Sequence, residues 1–106
     1  HTAFPECELV AFADLSSGLV LSADADTPQP QERFDRLCRT AIGLLNGAAG
    51  GPPSHEAMAL DTGEIQVFLR SPRAPDEALF CVCAPHTDLG ALLARARSQL
   101  EAFGER

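Results

Sequence analysis

Hydrophobic and polar positions along this chain change period several times, and each change marks an element. Residues 8–14, Glu8-Leu9-Val10-Ala11-Phe12-Ala13-Asp14, are a short apolar run, the pattern of a strand buried on both faces. Ser16-Ser17-Gly18 brings turn chemistry, with Gly18 free to take positive φ. Leu19-Val20-Leu21-Ser22-Ala23 predicts a second strand, and so brief a connection makes an antiparallel hairpin. Residues 24–30 are polar, contain Pro28 and Pro30, and predict a loop. The period then becomes helical. Phe34, Leu37, Cys38, Ala41, Ile42 and Leu45 recur at three- and four-residue spacing, opposite a face of Glu32, Arg33, Asp35, Arg36 and Arg39. Thr27, Pro28 and Pro30 mark the start of this helix, and Asn46-Gly47 marks its end as a left-handed cap.

Residues 47–53 are rich in Gly and Pro and predict a flexible corner. Residues 55–61 predict a weak strand, Thr62-Gly63 a turn, and residues 65–70 an alternating strand. In that strand Ile65, Val67 and Leu69 share one face and Gln66, Phe68 and Arg70 the other. Residues 71–76, with two prolines, form a turn. Residues 78–84 are apolar on both faces, as a central strand should be. Pro85 ends that strand, and Thr87 or Asp88 caps a closing helix with Leu89, Leu92, Leu93, Ala96, Leu100 and Phe103 on one face.

The order is β-β-α-β-β-β-α, an α+β chain forming a single five-stranded antiparallel sheet with helices on its two faces. The two doubly apolar strands, first and fifth, belong side by side at its centre. The third strand, residues 54–61, falls at an edge and has no lysine, and no proline within residues 56–60, to protect it. That edge, with the Phe34–Leu45 helix near it, predicts a two-fold homodimer interface.

The remaining properties set bounds. A chain of 106 residues is one domain spanning residues 1–106, able to bury about two thirds of its surface. A net charge of −7, with no lysine and eight arginines set among fifteen acids, points away from nucleic acid and from an anionic membrane, which require clustered cations. No apolar run reaches the roughly 20 residues of a membrane span. The four cysteines do not suggest a disulfide framework: Cys81 and Cys83 alternate on one strand, while Cys7 and Cys38 lie in other apolar stretches. They are expected to be reduced, mostly buried thiols of a cytoplasmic protein.

Candidate chemistry is sparse. Ser16 and Ser17 with Asp14 lack the surroundings of a nucleophile, and turn formation accounts for them better. Cys81 or Cys83 with His86 makes a thiol–imidazole pair on paper, but in the most apolar strand of the chain. Adding His55 yields four possible zinc ligands with only one metal-like spacing. Residues 85–90 open a helix that could receive an anion, a place Asp88 already fills. Arg70 and Arg73 flank a turn and are candidate, though ordinary, partner contacts. No catalytic residue, cofactor or metal is expected.

The hairpin Val10-Ala11-Phe12-Ala13-Asp14-Leu15-Ser16-Ser17-Gly18-Leu19-Val20-Leu21-Ser22-Ala23 resembles that of the roadblock/LC7 family, a profilin-like fold close to the longin domain. The resemblance recurs at residues 78–84, Pro85 and Asp88-Leu89-Gly90-Ala91-Leu92-Leu93. Family members normally carry a helix before the first strand; residues 1–7 leave it absent or truncated here. The resemblance implies a non-enzymatic regulator that dimerises edge to edge and works in bacteria beside small Ras-like GTPases. By position the dimer surface falls on Glu56, Met58 and Leu60 and on Phe34, Leu37, Cys38, Ala41 and Leu45. The alternative is a small-molecule sensor of PAS or profilin-like type, with a pocket between sheet and helix.

Overall fold

A computed structural model describes residues 5–46, 55–72 and 74–104 of the chain. Five strands and two helices follow in the expected order: β1 (Cys7–Asp14), β2 (Leu19–Ala25), α1 (Gln31–Leu45), β3 (Glu56–Asp61), β4 (Glu64–Arg70), β5 (Glu77–Cys83) and α2 (Leu89–Gly104). The strands form one sheet in the order β2-β1-β5-β4-β3, and every neighbouring pair is antiparallel. The two doubly apolar strands are neighbours, with β5 at the centre and β3 at one edge.

Each face of the sheet carries its own core. Leu9, Ala11 and Ala13 of β1 join Phe68, Phe80 and Val82 beneath Leu37, Cys38, Ala41 and Leu45 of α1. On the opposite face Ile65, Val67, Leu69, Leu79, Cys81 and Cys83 pack against Leu92, Ala96 and Leu100 of α2. Phe68 and Phe80 are direct cross-strand partners whose rings meet edge to face, with centroids 5.2 Å apart. That arrangement suits the ring quadrupoles.

Three local departures have physical causes. β2 runs on through Asp24 and Ala25 because β1 supplies backbone partners at Val10 and Leu9, and edge pairing requires no apolar side chain. Asn46 is not left-handed: at φ −89° and ψ 17° it continues the helical turn, its N–H donating to the Ile42 carbonyl. Gly47 and the corner at residues 47–53 lie outside the described residues. The third is a register shift between Cys7 and Leu9. Simple alternation would put these two on one face, yet Leu9 packs under α1 and Cys7 joins the α2-side core. An extra residue in one strand reverses the face of everything beyond it.

Two hairpin turns follow from local chemistry. Gly18 and Gly63 take φ of 72° and 75°, where a side chain is strained. Asp14 accepts the Ser16 N–H at 3.0 Å, the Ser16 hydroxyl at 2.8 Å and the Ser17 hydroxyl at 3.0 Å.

Candidate functional site

The open edge of β3 is the candidate surface. The His55 carbonyl accepts the Arg70 N–H at 2.8 Å, and Ala57, Ala59 and Asp61 are opposite Phe68, Gln66 and Glu64. Alternation of backbone direction therefore turns the N–H and C=O groups of Glu56, Met58 and Leu60 away from β4, towards the open side. Ala57 and Ala59 pack towards α1, so the side chains of Glu56, Met58 and Leu60 belong to the α2 face. Met58 is 51% exposed and Leu60 76%. Beside them, Val67, Leu89 and Leu93 line a shallow apolar cleft of about 320 Å³. Arg97 of α2 donates to Glu56 Oε1 at 2.7 Å and tethers the start of the strand.

The helical half of the expected surface is corrected. Leu37, Cys38, Ala41 and Leu45 are buried against the sheet, and Phe34 is half-buried beside them. One apolar stripe can cover only one neighbour, and here it covers the protein's own strands. Burial, with Asp35 nearby, pushes the Cys38 thiol above its ordinary value. The outward face of α1 is polar: Glu32, Asp35, Arg36 and Arg39 are exposed. Where this helix approaches β3, Arg36 and Thr40 face Ala59, Leu60 and Asp61 across a cleft of about 270 Å³.

Arg70 serves as a structural tie within the chain. Its guanidinium donates to the carbonyls of Leu45 at 2.7 Å and Pro75 at 2.9 Å, and to Asn46 Oδ1 at 2.8 Å. α1 has no basic residue in its last turn, so β4 supplies the cation its C-terminal carbonyls favour. Arg73 lies outside the described residues.

The other candidates stand apart. Asp14 has both serine hydroxyls as donors, and these bonds, Ser16's first, hold its carboxyl below the ordinary value. This is a turn lock. Cys81 and Cys83 are fully buried, whereas His86 and His55 are exposed in separate parts of the chain. Among the described residues no group of three or more His, Cys, Asp and Glu could hold a metal ion. Asp88 accepts the Ala91 N–H at 3.2 Å and so caps α2. No described helix is long and apolar enough to cross a membrane.

A polar network escaped the sequence reading. Arg33 of α1 reaches Glu8 of β1 at 3.2 Å and Glu64 of β4 at 3.1 Å, and Glu64 also accepts Gln66 Nε2 at 2.8 Å. It fastens the first turns of α1 across one end of the sheet. Helical spacing marked Arg33 only as outward-facing, and no local signal points to acids so distant in sequence.

No protein-family model matches the chain, and no characterised protein matches it by sequence. Solved structures do match in shape. Myxococcus xanthus MglB superposes with a TM-score of 0.79 at 11% identity, over 98% of this chain and 87% of that one. An MglB structure with a tetrameric arrangement gives 0.75 at 15% identity, over 98% and 81%. A roadblock/LC7 domain from Streptomyces avermitilis gives 0.69 at 14% identity, over 92% and 82%. At these identities the likeness is one of architecture, and together with the sheet order and the two helix-covered faces it shows that this chain has the roadblock/LC7 fold.

Proposed function

We propose that this domain is a non-enzymatic adaptor: two copies join through their β3 edges, and the homodimer binds a partner protein of the small Ras-like GTPase class. The observation that carries the reading is the β3 edge itself. It presents outward backbone groups at Glu56, Met58 and Leu60, with the Met58 and Leu60 side chains exposed beside them. An edge with no lysine or proline in residues 56–60, and with no strand paired to it among the described residues, is a template for another strand. The neighbouring MglB structure with a tetrameric arrangement supports self-association for a chain of this fold. The GTPase assignment rests on the family resemblance of the hairpin and the last strand. The sensor alternative has less support, because the clefts between sheet and helix, about 270 Å³ beside α1 and about 320 Å³ beside α2, are open at the surface and at the bottom of the size range of ligand pockets.

Light scattering after size exclusion, over a range of concentrations, tests the assembly. The expected mass is twice the chain's 11.2 kDa, and Leu60→Asp should give single chains with unchanged circular dichroism. A wild-type protein that stays at single-chain mass overturns the edge dimer. For the partner, immobilised domain should retain a Ras-like GTPase in one nucleotide state more than in the other, and should hydrolyse no nucleotide alone. Intrinsic hydrolysis by the purified domain overturns the non-enzymatic reading.

A further inference from the structure

We infer that Cys7 and Cys83 are an oxidation site, two thiols placed to close into an intramolecular disulfide when a hydroperoxide reaches them. The two residues are direct cross-strand partners, Cys7 the first residue of β1 and Cys83 the last of β5. Antiparallel partners have Cα atoms about 4.5 or 5.5 Å apart, and both distances lie within the roughly 4.4–6.8 Å that a disulfide spans. Their sulfurs are in direct contact, 2.7 Å apart. Little backbone movement separates the thiols from the bond.

The choice of partner follows from the sheet. Cys81 also touches the Cys7 sulfur, but the ladder pairs it with Val10, whereas Cys83 is the direct cross-strand partner of Cys7. Cys38 lies in the core on the other face. Sequence spacing concealed the pair, since the bulge beside Glu8 is what brings Cys7 to the face of Cys83.

Cys7, the first residue of β1, is the attacking thiol because the strand can fray from that end. Hydrogen bonds from the Cys81 and Cys83 thiols hold its ionisation below the ordinary value, and the same contacts, followed by burial, push Cys81 and Cys83 up. The thiolate is the reactive form. All three side chains are buried, but Cys7 and Cys83 are strand-terminal, where opening costs least. In the first step Cys7 sulfur attacks one peroxide oxygen, the O–O bond breaks, and water leaves with a proton from solvent. In the second, Cys83 gives up its proton and attacks the Cys7 sulfenic sulfur, expelling a second water. The sum is two thiols and hydrogen peroxide going to one disulfide and two waters, with two electrons passing from sulfur to oxygen.

The bond would tie the start of β1 to the strand from which α2 descends, remote from the β3 edge. The test is reduced wild-type protein treated with a small excess of hydrogen peroxide, then intact mass, thiol count and fragmentation of the unreduced peptides. Expected are the loss of two of the four thiols, a Cys7–Cys83 linkage, and full reversal by dithiothreitol. Cys81→Ala and Cys38→Ser should retain the linkage, and Cys83→Ala should lose it. The wild-type map stands alone if Cys83→Ala fails to fold. Retention of all thiols by folded wild type, a bond to Cys81, a Cys38 cross-link between chains, or oxidation that dithiothreitol does not reverse overturns the inference.

Discussion

Nη2 of Arg70 donates to the carbonyl oxygen of Leu45 at 2.7 Å, so the last residue of β4 closes the C-terminal end of α1. The same guanidinium holds the Asn46 side chain. Arg70→Met should cost about 2 kcal/mol, because hydrogen bonds to a charged group are worth roughly 1.5–3 kcal/mol and one of the freed carbonyls is part-buried. Arg70→Lys should recover only part of this, since an ammonium cannot reproduce the guanidinium fork. Urea unfolding of the three proteins checks both statements, and an unchanged midpoint for Arg70→Met would remove Arg70 from the structural account.

Two leucines should behave oppositely. Leu45 is fully buried under the sheet and Leu60 is exposed on the edge. Leu45→Ala should lose about 2–5 kcal/mol of folding stability, the usual cost of a large core truncation, with no change of assembly mass while folded. Leu60→Asp should change assembly mass and leave circular dichroism as it was. Denaturation and light scattering on both variants separate core from contact surface.

Acid should loosen the first hairpin through Asp14. Its carboxyl lies below the ordinary 3.8, so the folded state binds that proton less readily than the unfolded one. The contribution is therefore fully present above the unfolded value and disappears as pH falls through the folded one. Asp14→Asn removes this dependence while keeping an acceptor for Ser16. Thermal midpoints from about pH 5 down to pH 2 should fall more steeply in wild type than in the variant, and parallel curves would contradict the turn lock.

α2 depends on its cap. The Asp88 carboxylate accepts the Ala91 N–H at 3.2 Å. Asp88→Ala should cost about 1 kcal/mol and Asp88→Asn much less, because asparagine caps almost as well. Amide exchange at Ala91 should accelerate in the alanine variant alone.

Much of this architecture was legible because periodicity is local. The helical stripe of Phe34, Leu37, Cys38, Ala41 and Leu45 shows which side of α1 is buried from the spacing of those residues. The doubly apolar runs around Phe12 and Phe80 place β1 and β5 at the centre, since only interior strands bury both faces. The weak third strand, expected at an edge once the doubly apolar strands take the centre, is β3 at the edge. Asp88 and the Asp14-Ser16-Ser17 turn were equally readable, because a cap or turn satisfies its hydrogen bonds within three residues.

Sequence by itself determined the order of elements, their inward faces and their local caps, all set by interactions between near neighbours. Only the tertiary structure decided what those faces meet. A stripe such as that of α1 looks the same whether it packs on its own sheet or on a second chain, and the sheet takes it. Arg70 and Leu45 are 25 residues apart, and Cys7 and Cys83 are 76 apart. No period links residues at such separations. Arg70 becomes a helix tie because β4 ends beside α1, and Cys7 meets Cys83 because one bulge turns it to the other face. Contacts of this kind depend on which backbones approach, and that follows from burying both faces of the sheet at once.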